Sequence, residues 1–173
     1  METLEALNQA LQNEGEAQSF YNDAAAKSTN AKGKKMFEWL AREETGHIRL
    51  LEQTIKDLKD NERWPTRDMW GSIKHISKPI VASDIPSKPE TMGDLAPDSS
   101  ELDIIKRAIE AEKIDEEFYK KLAESIEDPN GKIMVEKLAH VEKGHATMLE
   151  EEYEWLHHSK DMFTLHRFSP AGH

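Results

Sequence analysis

Residues 14–21 read E-G-E-A-Q-S-F-Y and residues 43–47 read E-E-T-G-H; 98 positions later, residues 112–119 read E-K-I-D-E-E-F-Y and residues 141–145 read V-E-K-G-H. Sliding the chain over itself by that offset, with no gap, places Leu4 on Leu102, Ala10 on Ala108, Glu14 on Glu112 and Phe20-Tyr21 on Phe118-Tyr119. Further along it places Gly33-Lys34 on Gly131-Lys132, Met36 on Met134, Glu44 on Glu142, Gly46-His47 on Gly144-His145 and Leu51-Glu52 on Leu149-Glu150. About a third of the positions agree over some 55 residues. Shared composition produces scattered Leu, Ala and Glu matches, but not one register that also pairs Phe-Tyr and Gly-His. The chain is a duplication.

Each repeat reads as a helical hairpin. Apolar residues recur at helical spacing in Leu4, Leu7 and Leu11, and again in Phe37, Leu40, Ile48, Leu51, Ile55 and Leu58, with two helices meeting near Ser28 to Gly33. From Asp60 to Ser99 the pattern lapses and five of the seven prolines appear, which marks a long connection. Helical periodicity resumes at Leu102 behind Ser100 and Asp103, and pauses at Asp128-Pro129, where Asp suits an N-cap and Pro the first helical position. The last helix is expected to end near His158. The predicted fold is all-α: hairpins over about 2–58 and about 100–158 joined by a crossover over about 59–99, one domain spanning 1–158, then a C-terminal tail over 159–173. A helix of about 27 residues is about 40 Å long, and an extended crossover of this size returns along it with length to spare.

Composition narrows the chemistry. Lys and Arg total 23 against 34 Asp and Glu, a net charge of −11, which opposes contact with nucleic acid or anionic lipid. There is no cysteine, so disulfides, thiolate nucleophiles and iron–sulfur clusters are excluded and any metal site must use His and carboxylate. The acidic N-terminus lacks the basic and apolar segments of a leader, and no window approaches the roughly 18 apolar residues of a membrane span. A cytoplasmic protein is the expectation.

Each hairpin offers one Glu on its first helix, Glu14 or Glu112, and a Glu-x-x-His on its second, Glu44/His47 or Glu142/His145. Residues i and i+3 share a helix face, so each pair can converge on one point. Four carboxylates facing one another in a bundle core repel and are costly to desolvate, and two divalent cations would neutralise them. Either Glu44 and Glu142 or Glu14 and Glu112 would bridge the ions. Imidazole with carboxylate suits iron or manganese and also accepts zinc; two iron ions are the first expectation. Tyr21 and Tyr119 lie two turns along the same face as Glu14 and Glu112. Their phenols either support a ligand carboxylate across the bundle or fill core.

Glu154-Trp-Leu-His157 also matches Glu-x-x-His, but its repeat counterpart begins at Lys56, so it reads as solvated surface. The tryptophans, Trp39, Trp64, Trp70 and Trp155, read as docking the connection and capping the bundle ends. His75, His140, His166 and His173 have no partner at ligand spacing.

The quoted motifs make the chain resemble the rubrerythrin-like branch of the ferritin-like di-iron carboxylate proteins over both halves. The resemblance implies a ferritin-like four-helix bundle in up-down-down-up order around a di-iron centre. It implies that the Glu seven residues before each Tyr is a ligand, which selects Glu14 and Glu112 over Glu16 and Glu116; the repeat makes the same choice, since Glu16 falls opposite Ile114. It also implies an extra carboxylate ligand one turn after Glu112, where this chain has the shorter Asp115. The activity implied is reduction of hydrogen peroxide, or oxygen, at a centre formed by Glu14, Glu44, His47, Glu112, Glu142 and His145 with Tyr21 and Tyr119. Without cysteine to hold a rubredoxin-type iron, electrons would come from a separate donor protein such as a rubredoxin, or from a small reductant. A homodimer is the expected assembly. Ferrous oxidation in iron handling, and a metal-stabilised bundle without catalysis, are the competing expectations.

Overall fold

The computed structural model describes residues 3–28, 31–66 and 101–167. Within them the chain forms four α-helices: α1 (Thr3–Lys27), α2 (Ala31–Asn61), α3 (Glu101–Ser125) and α4 (Pro129–Arg167). Glu5 in the first turn of α1 and Lys27 in its last suit the helix dipole, and the Ser28 N–H closes the end on the Ala24 carbonyl at 2.9 Å. At the head of α4, Asp128 Oδ1 accepts from the Asn130 N–H at 2.8 Å and the Gly131 N–H at 3.1 Å, with Pro129 at the first helical position. The expected N-cap is the one that forms. α2 stops at Glu62, whose φ of 53° lets its N–H reach the Leu58 carbonyl at 3.2 Å.

α1 packs on α2 and α3 on α4, giving the two expected hairpins. Their relative direction follows from the bonds that join them. Tyr21 of α1 reaches Glu112 of α3, while Tyr119 of α3 reaches Glu14 of α1. As numbering rises on α1 it falls on α3, so these helices are antiparallel. With each hairpin antiparallel internally, the order is up-down-down-up. A direct hairpin turn cannot link the parallel ends, and the long connection follows from that.

The core is two apolar clusters rather than one. The first gathers Leu7 and Ala10 of α1, Leu50, Leu51 and Ile55 of α2, Leu122 of α3 with Ile126 just beyond its end, and Met134, Val135 and Leu138 of α4. The second gathers Phe20 and Ala24 of α1, Met36, Phe37 and Leu40 of α2, Ile105 and Ala108 of α3, and Met148 and Leu149 of α4. The repeat exchanges them, Met36 for Met134 and Leu40 for Leu138, so each plugs one half of the bundle. Burial of these side chains at about 1.5–3 kcal/mol each leaves a middle layer into which polar groups are drawn from both sides.

Two boundaries differ from expectation. α4 continues past His158 to Arg167, so the segment read as a tail begins as helix. No Gly or Pro interrupts the sequence between them. α2 begins at Ala31, which places Gly33 inside the helix rather than in the joint. Trp64 packs on the first cluster, in keeping with a tryptophan that docks the connection onto the bundle end. It lies over Gly131 so closely that a Cβ there would stand 2.4 Å from the indole ring. Ser100, Trp70 and most of the expected crossover fall outside the described residues.

Candidate metal centre

Between the two apolar clusters lie Glu14 on α1, Glu44 and His47 on α2, Glu112 on α3, and Glu142 and His145 on α4, none more than 5 % exposed. All six residues expected at the site are brought together. They form two overlapping groups: Glu14, Glu44, His47 and Glu142, and Glu44, Glu112, Glu142 and His145, each with its potential ligand atoms within 4.8 Å of one another. Glu44 and Glu142 belong to both.

His47 Nδ1 stands 3.2 Å from Glu14, 3.0 Å from Glu44 and 3.0 Å from Glu142. His145 Nδ1 stands 2.9 Å from Glu142, 3.4 Å from Glu112 and 3.6 Å from Glu44. The two imidazoles are near parallel, with centroids 6.0 Å apart. One N–H can satisfy one oxygen at a time, and both oxygens of Glu44 and of Glu142 are buried with no hydrogen-bond donor. Such a charge arrangement is unstable by itself. Two cations in its middle would satisfy the oxygens and balance four carboxylates, so the groups present fit a dinuclear metal site.

The field of this cluster is legible in its proton affinities. Burial, reinforced by the charge of Glu142, holds the Glu44 carboxyl well above the ordinary range, although its contact with His47 pulls the other way. Burial alone would lower His47 and His145; the surrounding carboxylates, chiefly Glu142 and Glu14 for the former and Glu112 and Glu142 for the latter, overcome it and raise both. Burial and the adjoining carboxylates push the phenols of Tyr21 and Tyr119 far above their usual range. Both tyrosines are therefore protonated donors. Tyr21 donates to Glu112 and Tyr119 to Glu14, each reaching from one hairpin to the first-helix Glu of the other.

Asp115, expected as an additional ligand, is in neither group. Its side chain is a methylene shorter than Glu, and Asn13 Nδ2 donates to its Oδ1 at 3.1 Å, holding it at the α1–α3 boundary. Burial and the charges of Glu14, Glu142 and Glu112 still push it up to about 8. Trp39 departs from its expected place at a bundle end: its ring meets His145 edge-on at 5.6 Å, where the repeat has Lys137. Glu43, which sequence reasoning passed over, is buried beside Glu44. The repeat itself carried the signal, because Glu43 falls opposite the apolar Val141. Glu154 and His157 are exposed, as expected of the isolated motif.

A family model described as rubrerythrin matches residues 5–79 and 103–170. The solved structure of a hypothetical protein from Pyrococcus furiosus is similar over 90 % of each chain, with 28 % sequence identity and a TM-score of 0.68. No curated protein sequence matches. No helix among the described residues is long and apolar enough to cross a membrane.

Proposed function

The chain belongs to the rubrerythrin family, and from that premise we propose that its buried Glu and His side chains hold two iron ions at which hydrogen peroxide, or oxygen, is reduced. The observation that carries this reading is the sharing of Glu44 and Glu142 between two ligand groups. Glu44 and Glu142 would be the residues held in common by the two ions, with Glu14 and His47 holding one and Glu112 and His145 the other. Bound as a ferrous pair, the metals supply the two electrons that, with two protons, turn one hydrogen peroxide into two waters.

The protein's own part is positional and electrostatic. The apolar clusters above and below the layer exclude water, so charges there act through a low dielectric. Tyr21 and Tyr119 fix the orientation of Glu112 and Glu14 by donating to one oxygen of each, and the second oxygen lies toward His145 and His47, respectively. The four carboxylates would supply the negative charge that balances the cations. These 173 residues hold no cysteine, so re-reduction is assigned to a separate donor protein such as a rubredoxin.

Anaerobic loading with ferrous iron followed by rapid mixing tests the reading. About two irons per chain, oxidation faster with hydrogen peroxide than with oxygen, and turnover when a protein reductant is supplied are the expected results. Uptake of many irons per chain would instead establish iron storage. Indifference to both oxidants would reduce the metals to a structural role.

A further inference from the structure

α1 and α3 approach each other less closely than the helices within either hairpin. Along their seam lies an open cavity of about 320 Å³ lined by Asn13, Glu16, Arg107, Glu110, Ala111, Ile114 and Asp115. A water molecule's share of liquid is about 30 Å³, so several small molecules fit. Asp115 ties this lining to the metal layer, since the charges of Glu14, Glu142 and Glu112 all act on its carboxyl, and Asn13, its hydrogen-bond partner, precedes Glu14 in the chain.

The pseudo-symmetry is broken at this place. Asn13 of α1 faces Asp115 of α3 through a 3.1 Å hydrogen bond. The repeat puts Ala111 opposite Asn13 and Ala17 opposite Asp115, so the symmetry-related pair offers two methyl groups. Ala17 is buried, whereas Asn13 and Asp115 are half-buried. Of the two pairs on this seam, only Asn13 and Asp115 therefore present a donor and an acceptor together, which is what a small molecule that both gives and takes hydrogen bonds requires.

We propose that the α1–α3 cavity is the docking and entry site for the small hydrogen-bonding oxidant, and that the Asn13–Asp115 bond is its gate. This rests on the di-metal reading above and deepens it. Asp115 acts here as a gating residue at the mouth and not as a metal ligand. Opening breaks one hydrogen bond between half-buried groups, and such a bond can exchange partners with an incoming molecule that donates and accepts in its place.

The test uses protein loaded with cobalt(II), whose visible spectrum reports ligand binding without turnover, and azide as the small probe. Asn13→Leu and Ala111→Leu, which fill the cavity, are expected to slow azide association about tenfold or more, and Asp115→Ala to speed it several-fold. All three should retain two cobalt ions and an unchanged resting spectrum. His140→Leu, in the groove between α3 and α4, should leave the rate unaltered. The entry site is overturned if Asn13→Leu and Ala111→Leu both keep two cobalt ions and the parent rate, or if His140→Leu slows azide equally. Loss of a cobalt ion in Asp115→Ala would make Asp115 a ligand and overturn the gate. Parent protein that takes up fewer than two ions overturns the di-metal reading itself, a distinct result, and removes the entry site with it.

Discussion

At the scale of single residues, the tyrosines decide how the site is held. Each phenol lies between its own hairpin and the first-helix Glu of the other, so one hydrogen bond both orients a carboxylate and joins the two repeats. Tyr119→Phe strips the buried Glu14 carboxylate of that donor, and the metal-free protein is expected to lose about 1–3 kcal/mol, read as a lower urea midpoint. Proton affinities give a second prediction. Glu44, Asp115, His47 and His145 are all raised in the fold, so between their ordinary and folded values the native state holds protons that the unfolded chain has released. Stability is then greatest in mild acid and falls as pH rises from about 4 through 8. Urea midpoints of chelator-treated protein should decline across that window. Asp115→Asn, which removes one of these groups, should flatten part of the slope.

At the scale of elements, the connection is anchored where a side chain replaces a missing one. The indole of Trp64 occupies the space that a Cβ on Gly131 would need, next to the Asp128 cap that starts α4. Gly131→Ala must push the ring off the first apolar cluster, and a loss of about 1–3 kcal/mol is expected, with a shift in tryptophan emission as Trp64 meets water. Thermal melts followed by fluorescence and by circular dichroism check both. An unchanged emission and melt would mean that the indole is not seated there in solution.

For the whole molecule, the design is a charged layer between two apolar plugs, each built from one half of every helix. The plugs hold the bundle together and the layer works against it until cations arrive. Metal loading should therefore raise the unfolding temperature markedly; at free metal one hundred times its dissociation constant, one site contributes about 2.7 kcal/mol. Because Glu142 is shared between the groups and Glu112 is not, Glu142→Ala is expected to abolish uptake of both ions, and Glu112→Ala to spare one. Metal analysis after gel filtration distinguishes the two outcomes.

The sequence by itself determined the duplication, the helical hairpins, the Asp128 cap and the six site residues, because all of these are carried by spacing along the chain: three residues between Glu and His, a fixed offset between repeats, and turn chemistry at one dipeptide. Only the tertiary structure decided that Glu44 and Glu142 are the shared pair, that each tyrosine serves the opposite repeat, that Asp115 accepts a hydrogen bond from Asn13, and that Trp39 lies against His145. Those are relations between helices, fixed by how far each helix is rotated and how the plugs bring the hairpins together. The Tyr119–Glu14 bond joins residues 105 positions apart, and no periodicity within a helix encodes a contact between helices at that separation.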